Sequence, residues 1–438
     1  MLTPTEGHPM QALLLHLDSQ RACALKLIEN QNQVLASFLG RGNFPVPMAK
    51  AASVMTHDVY PATDTSVPNP VAQKKGNVVS LFEHAKPAAD AGTKISTPAP
   101  STHYLVFKEC DMDAKHPYKN DIDTLLSAFG SDEALAFKRK QVGDTIFLSA
   151  SRQGFFYHKS QPGMLFSPCY VGADEHFAAS LRELQDYAAE NGLQINLMAQ
   201  EARVHILKEN GFTTTPMGIW QSINPLSSFT LEGQAMRRLR YLVSKYQKMG
   251  RCHTTEYVPG TAPDVDKAIC EVIDQWFELK GKIPPLFTDF KEKIMQGCLG
   301  KEHRVFLTYR DDAIDNVLVF SRDNLNDGYL MDLEFYGQGV PLGSTEFALI
   351  EIIEHFKKEG RRSISLGATL GTALFEHENG SKEVYAALLQ LKNAGFQDGD
   401  GNAQYKNKYR PTTTPYYLAR PNGCGKSKLN DLVYLLGS

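Results

Sequence analysis

The sequence lacks several features that would define a class of protein. Its seven cysteines include no CxxC pair, so neither a disulfide framework nor a metal site is expected. The formal net charge is −3 over 438 residues, which excludes a generally basic nucleic-acid coat protein and leaves a local patch for any polyanion. No apolar run approaches the roughly 20 residues that cross a bilayer, and MLTPTEGHPM has no signal-peptide pattern. We expect a soluble, cytoplasmic protein.

The N-terminal quarter predicts a helix followed by a linker. In residues 1–42, Met10–Leu39 carries an apolar stripe, and glycine and proline stop the helix. Residues 43–102 are rich in Ala, Pro, Ser and Thr, which is typical of a flexible linker. The phrase LIENQNQVLASFLG resembles the tethering helix of modular polyketide and polyunsaturated-fatty-acid synthases. That resemblance implies a synthase or carrier protein as partner; the alternative is a helix that packs on the body.

Strand and helix patterns alternate from His103 onward. Strands such as HYLVF, TIFLSA and GFFYH precede a helix, and a similar order follows after residue 250. The sequence predicts two halves, 103–228 and 251–438, joined by a basic helix at 229–250. The order sheet, helix, strand, helix, strand predicts an α/β fold with mixed sheets. It resembles two tandem N-acetyltransferase-like (GNAT-like) domains.

The segment Phe229–Gly250 is the most informative stretch. It contains five cations within twelve residues and no acid after Glu232. Apolar residues recur at spacings of 3 and 4, so one face can pack while another stays positive. Such a helix suits tRNA or phospholipid headgroups, although a solvated basic face is the alternative. The cations are Arg237, Arg238, Arg240, Lys245 and Lys248.

A second candidate site lies after the strand Tyr329–Tyr336. The loop GQGVPLGS leads into a helix that Ser344 or Thr345 is predicted to cap, and backbone N–H groups there attract phosphate or carboxylate. The loop does not match the Q-x-x-G-x-G/A pattern with which acetyltransferases bind coenzyme A, so coenzyme A is less expected. Asp332 and Glu334 are two residues apart and are predicted to share a face. Asp332 is a candidate base or amine-binding group, or else part of a buried salt bridge.

The C-terminal stretch YKNKYRP is a third candidate. Lys406, Lys408 and Arg410 alternate, so an extended strip would point all three cations the same way, and Tyr405 and Tyr409 would offer stacking surfaces. Such a strip could line a channel for an aminoacyl-tRNA end or another anionic acceptor. An exposed polar edge strand is the alternative.

Four phrases together resemble the C-terminal catalytic domain of phosphatidylglycerol lysyltransferases: FTLEGQAMRRLRYLVSKYQKMG, DLEFYG, PLGSTEFALIEIIEHFKKEGRRSISLGAT and KNKYRPTTTPYYL. The resemblance implies transfer of an aminoacyl group from tRNA to a lipid. It places Asp332 at the family's catalytic or amino-binding acid and Lys408 at the lysine of K-x-K-[YF]-x-P. Arg237 and Arg240 hold the basic positions of the bridging helix. Phe335 replaces the family's arginine, a departure that puts phosphatidylglycerol in doubt as the acceptor.

These observations predict a transferase that needs no cofactor and uses aminoacyl-tRNA as donor. The acceptor would be a lipid or a carrier-bound, polyketide-like molecule, and peripheral membrane contact is left open. In this interpretation Asp332 accepts a proton or holds the α-amino group, and Lys408 stabilises the oxyanion. Two alternatives stand: an N- or O-acyltransferase that uses acyl-coenzyme A or an acyl-carrier protein, and a non-catalytic docking module. Coenzyme A binding would distinguish the first, and an intact Asp332/Lys408 pair in one tunnel would argue against the second.

Overall fold

A single mixed sheet of twelve strands organises the part of the chain that the structure describes. The computed structural model describes residues 103–280, 285–372, 381–393 and 399–424, so the predicted N-terminal helix and linker lie outside it. The strands are β1 Leu105–Lys108, β2 Thr145–Leu148, β3 Gly154–Gln161, β4 Met164–Gly172, β5 Gln194–Gln200, β6 Phe212–Ile223, β7 Cys252–Tyr257, β8 His303–Arg310, β9 Ala313–Asp323, β10 Gly328–Tyr336, β11 Ser363–Leu370 and β12 Thr412–Pro421.

Ten α-helices accompany these strands within the described ranges. They are α1 Lys119–Phe129, α2 Asp132–Leu135, α3 Asp174–Glu190, α4 Val204–Glu209, α5 Arg237–Gln247, α6 Pro263–Lys280, α7 Pro285–Met295, α8 Ser344–Lys358, α9 Lys382–Asn393 and α10 Gly399–Lys406. The sequence interpretation missed α1, α2, α10 and β4. All nine residues of β4 are buried, and a strand covered on both faces has no polar alternation to reveal it.

The order of strands reads the same from either end of the sheet. It is β1-β2-β3-β4-β5-β12-β6-β11-β10-β9-β8-β7, so each strand of the first half has a counterpart in the second. The halves exchange their last strands, because β12 lies between β5 and β6, and β6 lies between β12 and β11. The parallel pairs are β4 with β5 and β10 with β11. The predicted α/β class with a mixed sheet is confirmed, and the strand order shows two similar halves.

Helices cover both faces of the sheet in each half. In the first half, α3 packs on one face through Phe177, Leu181 and Leu184, and α1 packs on the other through Ile122 and Leu125. In the second half, α5 and α8 share one cluster, whereas α6 and α7 share the opposite one. The spacing of 3 and 4 between the buried residues of α3 is the amphipathic pattern of a helix with one packed face.

Glu133 makes the stability of this fold depend on pH. The Tyr416 hydroxyl donates a 2.7 Å hydrogen bond to Glu133 Oε1. Loss of hydration raises the pKa of Glu133 to about 7 from an ordinary value of 4.5, although the Tyr416 hydrogen bond opposes the shift. A carboxyl with a raised folded-state pKa stabilises fully below its unfolded pKa, and this stabilisation is lost as the pH rises through 7. Glu133→Gln is therefore expected to flatten the pH dependence between about 4.5 and 7.

Urea unfolding at pH 5 and pH 8 measures this effect. At pH 8 the Glu133→Gln variant should be more stable than the wild type by about 1 to 3 kcal/mol. Glu209, which is exposed on α4, supplies a matched control: Glu209→Gln should keep the wild-type pH dependence. An unchanged difference between pH 5 and pH 8 in Glu133→Gln would contradict the prediction.

Candidate functional site

The basic helix is shorter than the sequence predicts, because α5 begins only at Arg237. Gly233 has a φ of +81°, a left-handed conformation that interrupts a helix, and residues 234–236 form a separate 3-10 turn. Leu239, Leu242 and Tyr246 are buried on one side of α5, and the Tyr246 hydroxyl donates to Asp315 at 2.7 Å. The helix thus has the predicted apolar and cationic faces over half of the predicted length.

An open groove lies at the N-terminal end of α5. Its volume is about 570 Å³. It is lined by Gln234, Ala235, Arg237, Arg238, Tyr241 and Arg410, and we call these six residues the arginine groove. Arg410 comes from a turn some 170 residues beyond the helix. The structure therefore brings together one cation of the C-terminal stretch and two of the basic helix.

The three guanidinium groups of the groove are exposed and unpaired. Among the described residues, Arg237, Arg238 and Arg410 have no ion pair and no side-chain hydrogen bond. The first turn of α5 contains no acid, so its partial positive charge adds to that of the side chains. Uncompensated cations at a helix N-terminus repel one another unless an anion binds, and the groove has the charge of an anion site.

Arg240 does not face the groove, although the sequence suggests that it binds substrate. Its guanidinium donates to the backbone carbonyl of Leu231 and, at 2.7 Å, to that of Gly233. These bonds fold the segment before α5 back onto the helix. Arg238 and Tyr241 take part in the groove instead. Tyr241 lies three residues after Arg238 and four residues from both Arg237 and Lys245, and this helical spacing is the signal that sequence reasoning did not use.

Residues 405–410 do not form the predicted extended strip. Helix α10 ends at Lys406, residues 407–409 form a 3-10 turn, and Arg410 has a φ of +52°. Tyr405 and Tyr409 are four residues apart, so their rings meet on the helical turn with centroids 5.7 Å apart. The prediction that Lys406, Lys408 and Arg410 point the same way is wrong, because helical geometry sends each in a different direction.

Lys406 is buried rather than lining a channel. Only 4% of its surface is exposed, and Nζ donates to the carbonyl oxygens of Gly367 at 3.1 Å and Ala368 at 2.9 Å. Loss of hydration lowers the pKa of Lys406 to about 7; the positive charge of Lys138 acts in the same direction, and the negative charge of Glu334 opposes it. Lys406 thereby fixes the end of α10 onto β11.

Residues 407–409, which connect Lys406 to the groove, are also held by specific contacts. Asn407 accepts a 2.8 Å hydrogen bond from Gln221, and Lys408 Nζ lies 2.6 Å from Glu346 Oε1. Tyr409 is 1% exposed within the core. Each residue of the turn thus has its own anchor. Lys408, the predicted oxyanion-stabilising residue, is held in an ion pair on α8, and its role stays a prediction.

Asp332 and Glu334 do not share a face, because β10 contains a bulge. The pairing with β9 shifts register between Met331 and Leu333, which places Asp332 on the same face as Leu333 and Phe335. Phe335 packs in the aromatic cluster of α6 and α7. Glu334 lies on the opposite side, where its charge acts on Lys406. The prediction from simple alternation along the strand is wrong at this point.

Asp332 is part of a buried polar network. Its Oδ2 accepts hydrogen bonds from the Phe137 backbone N–H and, at 2.7 Å, from the Ser321 hydroxyl. Ser321 Oγ also lies 2.9 Å from His303 Nδ1, and burial lowers the pKa of His303. Asp332 Oδ1 is buried without a partner among the described residues. The predicted catalytic role of Asp332 remains a prediction, and Ser321 and His303 join it as neighbours that sequence reasoning missed.

Ser344 and Thr345 do not cap α8, although the sequence predicts this role for one of them. The N-cap is Gly343, with a φ of +100° and no side-chain cap. The two hydroxyls lie 3.4 Å and 3.3 Å from Asn316 Oδ1. A Cβ atom on Gly343 would lie 2.3 Å from the Leu242 carbonyl oxygen, so the two residues are in close contact. This contact brings the backbone of α5 directly against the N-terminal end of α8.

The first half has no comparable opening at the crevice beside β4. Its volume is about 10 Å³, enough for about one water molecule. Tyr170 and Phe177 fill the space, with the Arg203 guanidinium 5.1 Å from each ring centroid. By the register of the parallel pairs, Pro168 stands where the second half has Asp332. The Asp332 carboxylate therefore has no counterpart on β4 of the first half.

Glu256, His355 and Glu359 are close enough to one another to resemble a metal site. Arg304 fills the space between them, with Nε 2.7 Å from Glu256 and Nη2 2.7 Å from Glu359. A guanidinium in that position repels a second cation. These residues form an ion network that joins β7, β8 and the C-terminal end of α8.

None of the helices in the described ranges combines the length and the apolar content that crossing a bilayer requires. The sequence matches the family model "Phosphatidylglycerol lysyltransferase, C-terminal" over residues 125–420. No curated protein matches it.

Solved structures share the fold at low sequence identity. L-PGS from Bacillus licheniformis is 15% identical with a TM-score of 0.59, and covers 74% of this chain and 97% of its own. A C-terminal domain described as belonging to a lysylphosphatidylglycerol synthetase from Agrobacterium fabrum is 17% identical, with a TM-score of 0.58 and coverages of 73% and 97%. A Bacteroides thetaiotaomicron protein of unknown function is 12% identical, with a TM-score of 0.52 and coverages of 69% and 97%.

Proposed function

Because the chain belongs to the family of phosphatidylglycerol lysyltransferase C-terminal domains, we propose that it transfers an aminoacyl group from aminoacyl-tRNA to a lipid or a carrier-bound acceptor. The observation that carries this proposal is the arginine groove. Three unpaired guanidinium groups converge on one opening in a protein whose net charge is −3. A local cationic site on an otherwise acidic protein selects a polyanion by position rather than by overall charge.

The chemistry demands positioning more than covalent catalysis. An aminoacyl ester is already activated, so the enzyme must bring the acceptor to the carbonyl carbon and stabilise the oxyanion. The turn 406–409 runs from β11, where Lys406 is anchored, to Arg410 in the groove. In this proposal the groove holds the nucleic acid, and the ester end extends towards β10 and β11. Asp332 and Lys408 remain the proposed amino-group ligand and oxyanion stabiliser. They lie on opposite faces of the sheet, because Asp332 faces the α6–α7 cluster whereas Lys408 pairs with Glu346 on α8, so they do not converge in one tunnel and the two roles are tested separately.

Phe335 does not decide whether the acceptor is a lipid or a carrier-bound molecule. This side chain is 1% exposed and is surrounded by Trp276, Phe287 and Phe290. A buried phenyl ring cannot bind a lipid phosphate as the family's arginine would. A phosphate ligand for phosphatidylglycerol would therefore have to come from another part of the protein.

A transfer assay with total tRNA charged with labelled amino acids tests the proposal. The chain is incubated with phosphatidylglycerol vesicles or with a loaded carrier protein, and label is measured in the lipid extract and in the protein fraction. We expect label in one of the two, and about a 10-fold or greater loss of rate in Asp332→Asn and in Lys408→Gln. Deacylation of tRNA with label in neither fraction, or full rate in both variants, would contradict the assignment.

A further inference from the structure

We propose that the arginine groove binds the single-stranded 3′ end of an RNA and that one base stacks on Tyr241. This inference rests on the proposed function and narrows it, because it names the part of the nucleic acid that the groove takes. It rests on the exposure of one aromatic side chain, the placement of the cations around it, and the size of the opening.

Tyr241 is an exposed aromatic residue that does not contribute to the packing of the core. Its side chain is 62% exposed, and among the described residues it makes no ring contact and no hydrogen bond. The other tyrosine of α5, Tyr246, is fully buried and bonded to Asp315. Exposing a ring of this size to water costs free energy that packing would recover. A ligand with a flat apolar face would cover it.

Three cations line the same groove as Tyr241. Arg237 and Arg238 precede it by four and three residues, so all three side chains lie on one side of α5. Arg410 enters from the separate turn and is held there by the anchors of residues 406–409. Base stacking on an aromatic ring with phosphates on flanking arginines is the usual way in which proteins bind single strands.

The size of the groove selects a single strand over a duplex. A volume of about 570 Å³ is in the range of small-molecule pockets and holds roughly one or two nucleotides. An A-form stem presents its phosphates on a broad surface and keeps its bases stacked inside, so no base is available to Tyr241. A lipid headgroup offers phosphate but no aromatic base. The unpaired end of a tRNA supplies both.

Fluorescence anisotropy with a labelled single-stranded 12-nucleotide RNA ending in CCA tests the inference. Tyr241→Ala is expected to weaken binding about 5- to 100-fold, because base–aromatic stacking contributes about 1 to 3 kcal/mol. Tyr241→Phe keeps the ring and should bind within about 2-fold of the wild type. The slope of log affinity against log salt should be unchanged in both variants, since neither alters a charge. A blunt RNA hairpin should bind the wild type and Tyr241→Ala alike.

The outcomes separate this inference from the proposed function. Wild-type affinity for the single strand in Tyr241→Ala, together with continued aminoacyl transfer, overturns the stacking and leaves the transferase. Loss of binding to phosphatidylglycerol vesicles in Tyr241→Ala, with RNA binding intact, assigns the ring to a lipid surface and also overturns the inference. A wild-type protein that binds no RNA and transfers no label overturns both.

Discussion

Replacing Arg237 and Arg238 with glutamate is expected to lower affinity for aminoacyl-tRNA about 100- to 1000-fold at physiological salt. Both guanidinium groups are exposed and unpaired, so the substitution removes no contact within the protein and reverses the charge of one wall of the groove. Each lost phosphate contact reduces the slope of log affinity against log salt by about 0.7 for a single strand, so the double variant should lose about 1.4 from that slope. Filter binding at 50 to 300 mM salt measures both quantities.

Lys245 and Lys248 provide the matched control. They lie on the same helix or immediately after it, and they do not line the groove. Lys245→Glu/Lys248→Glu makes the same change in net charge outside the groove. If binding depended only on the overall field of α5, both double variants would lose the same affinity. Equal losses would therefore rule out the groove as the specific contact, whereas a loss of less than about 5-fold in the control supports it.

Gly343→Ala is expected to destabilise the protein by about 2 to 4 kcal/mol. The backbone at Gly343 has a φ of +100°, which an alanine adopts only with strain, and the added Cβ would lie 2.3 Å from the Leu242 carbonyl oxygen. That atom belongs to the backbone, so only a shift of α5 relieves the clash. Because α5 carries the groove, the variant should also bind tRNA more weakly. Chemical unfolding and filter binding on the same preparation measure the two effects.

Gly339→Ala separates the strain of the conformation from the clash. Gly339 has a φ of +74° in the same loop, and no heavy atom lies within 4 Å of a Cβ built there. We expect this control to cost about 1 kcal/mol, the conformational part alone, and to leave tRNA binding unchanged. If Gly339→Ala and Gly343→Ala are destabilised equally, the packing of α5 against α8 does not determine the position of the groove.

Local patterns in the sequence predict most of the architecture. The helical spacing of Leu239, Leu242 and Tyr246 identifies the packed face of α5, and alternating strands identify β8 to β10. These features arise from neighbours within a few residues, which is the information that periodicity contains. The sequence also predicts a cationic C-terminal stretch, and its Arg410 lines the groove beside Arg237 and Arg238, although the extended geometry assumed for that stretch is wrong.

The remaining features depend on contacts of the folded chain that no periodic pattern in the sequence reveals. A bulge shifts Asp332 to the other face of β10, so that alternation fails at one residue. Lys406 reads as an exposed cation in sequence but is buried against carbonyl groups of β11. Arg240 bonds to its own preceding backbone. In each case, the partner that decides where the side chain lies could be known only from the folded structure.

The position of β12 between β5 and β6 affects how the chain folds during translation. About 200 residues separate the end of β6 from the end of β12, which corresponds to roughly 10 to 40 s of translation at 5 to 20 residues per second. Until β12 is made, the facing edges of β5 and β6 have no strand between them, and such unpaired edges recruit other chains. We therefore expect slower translation between β6 and β12 to lower the yield of folded protein, because the edges stay exposed for longer.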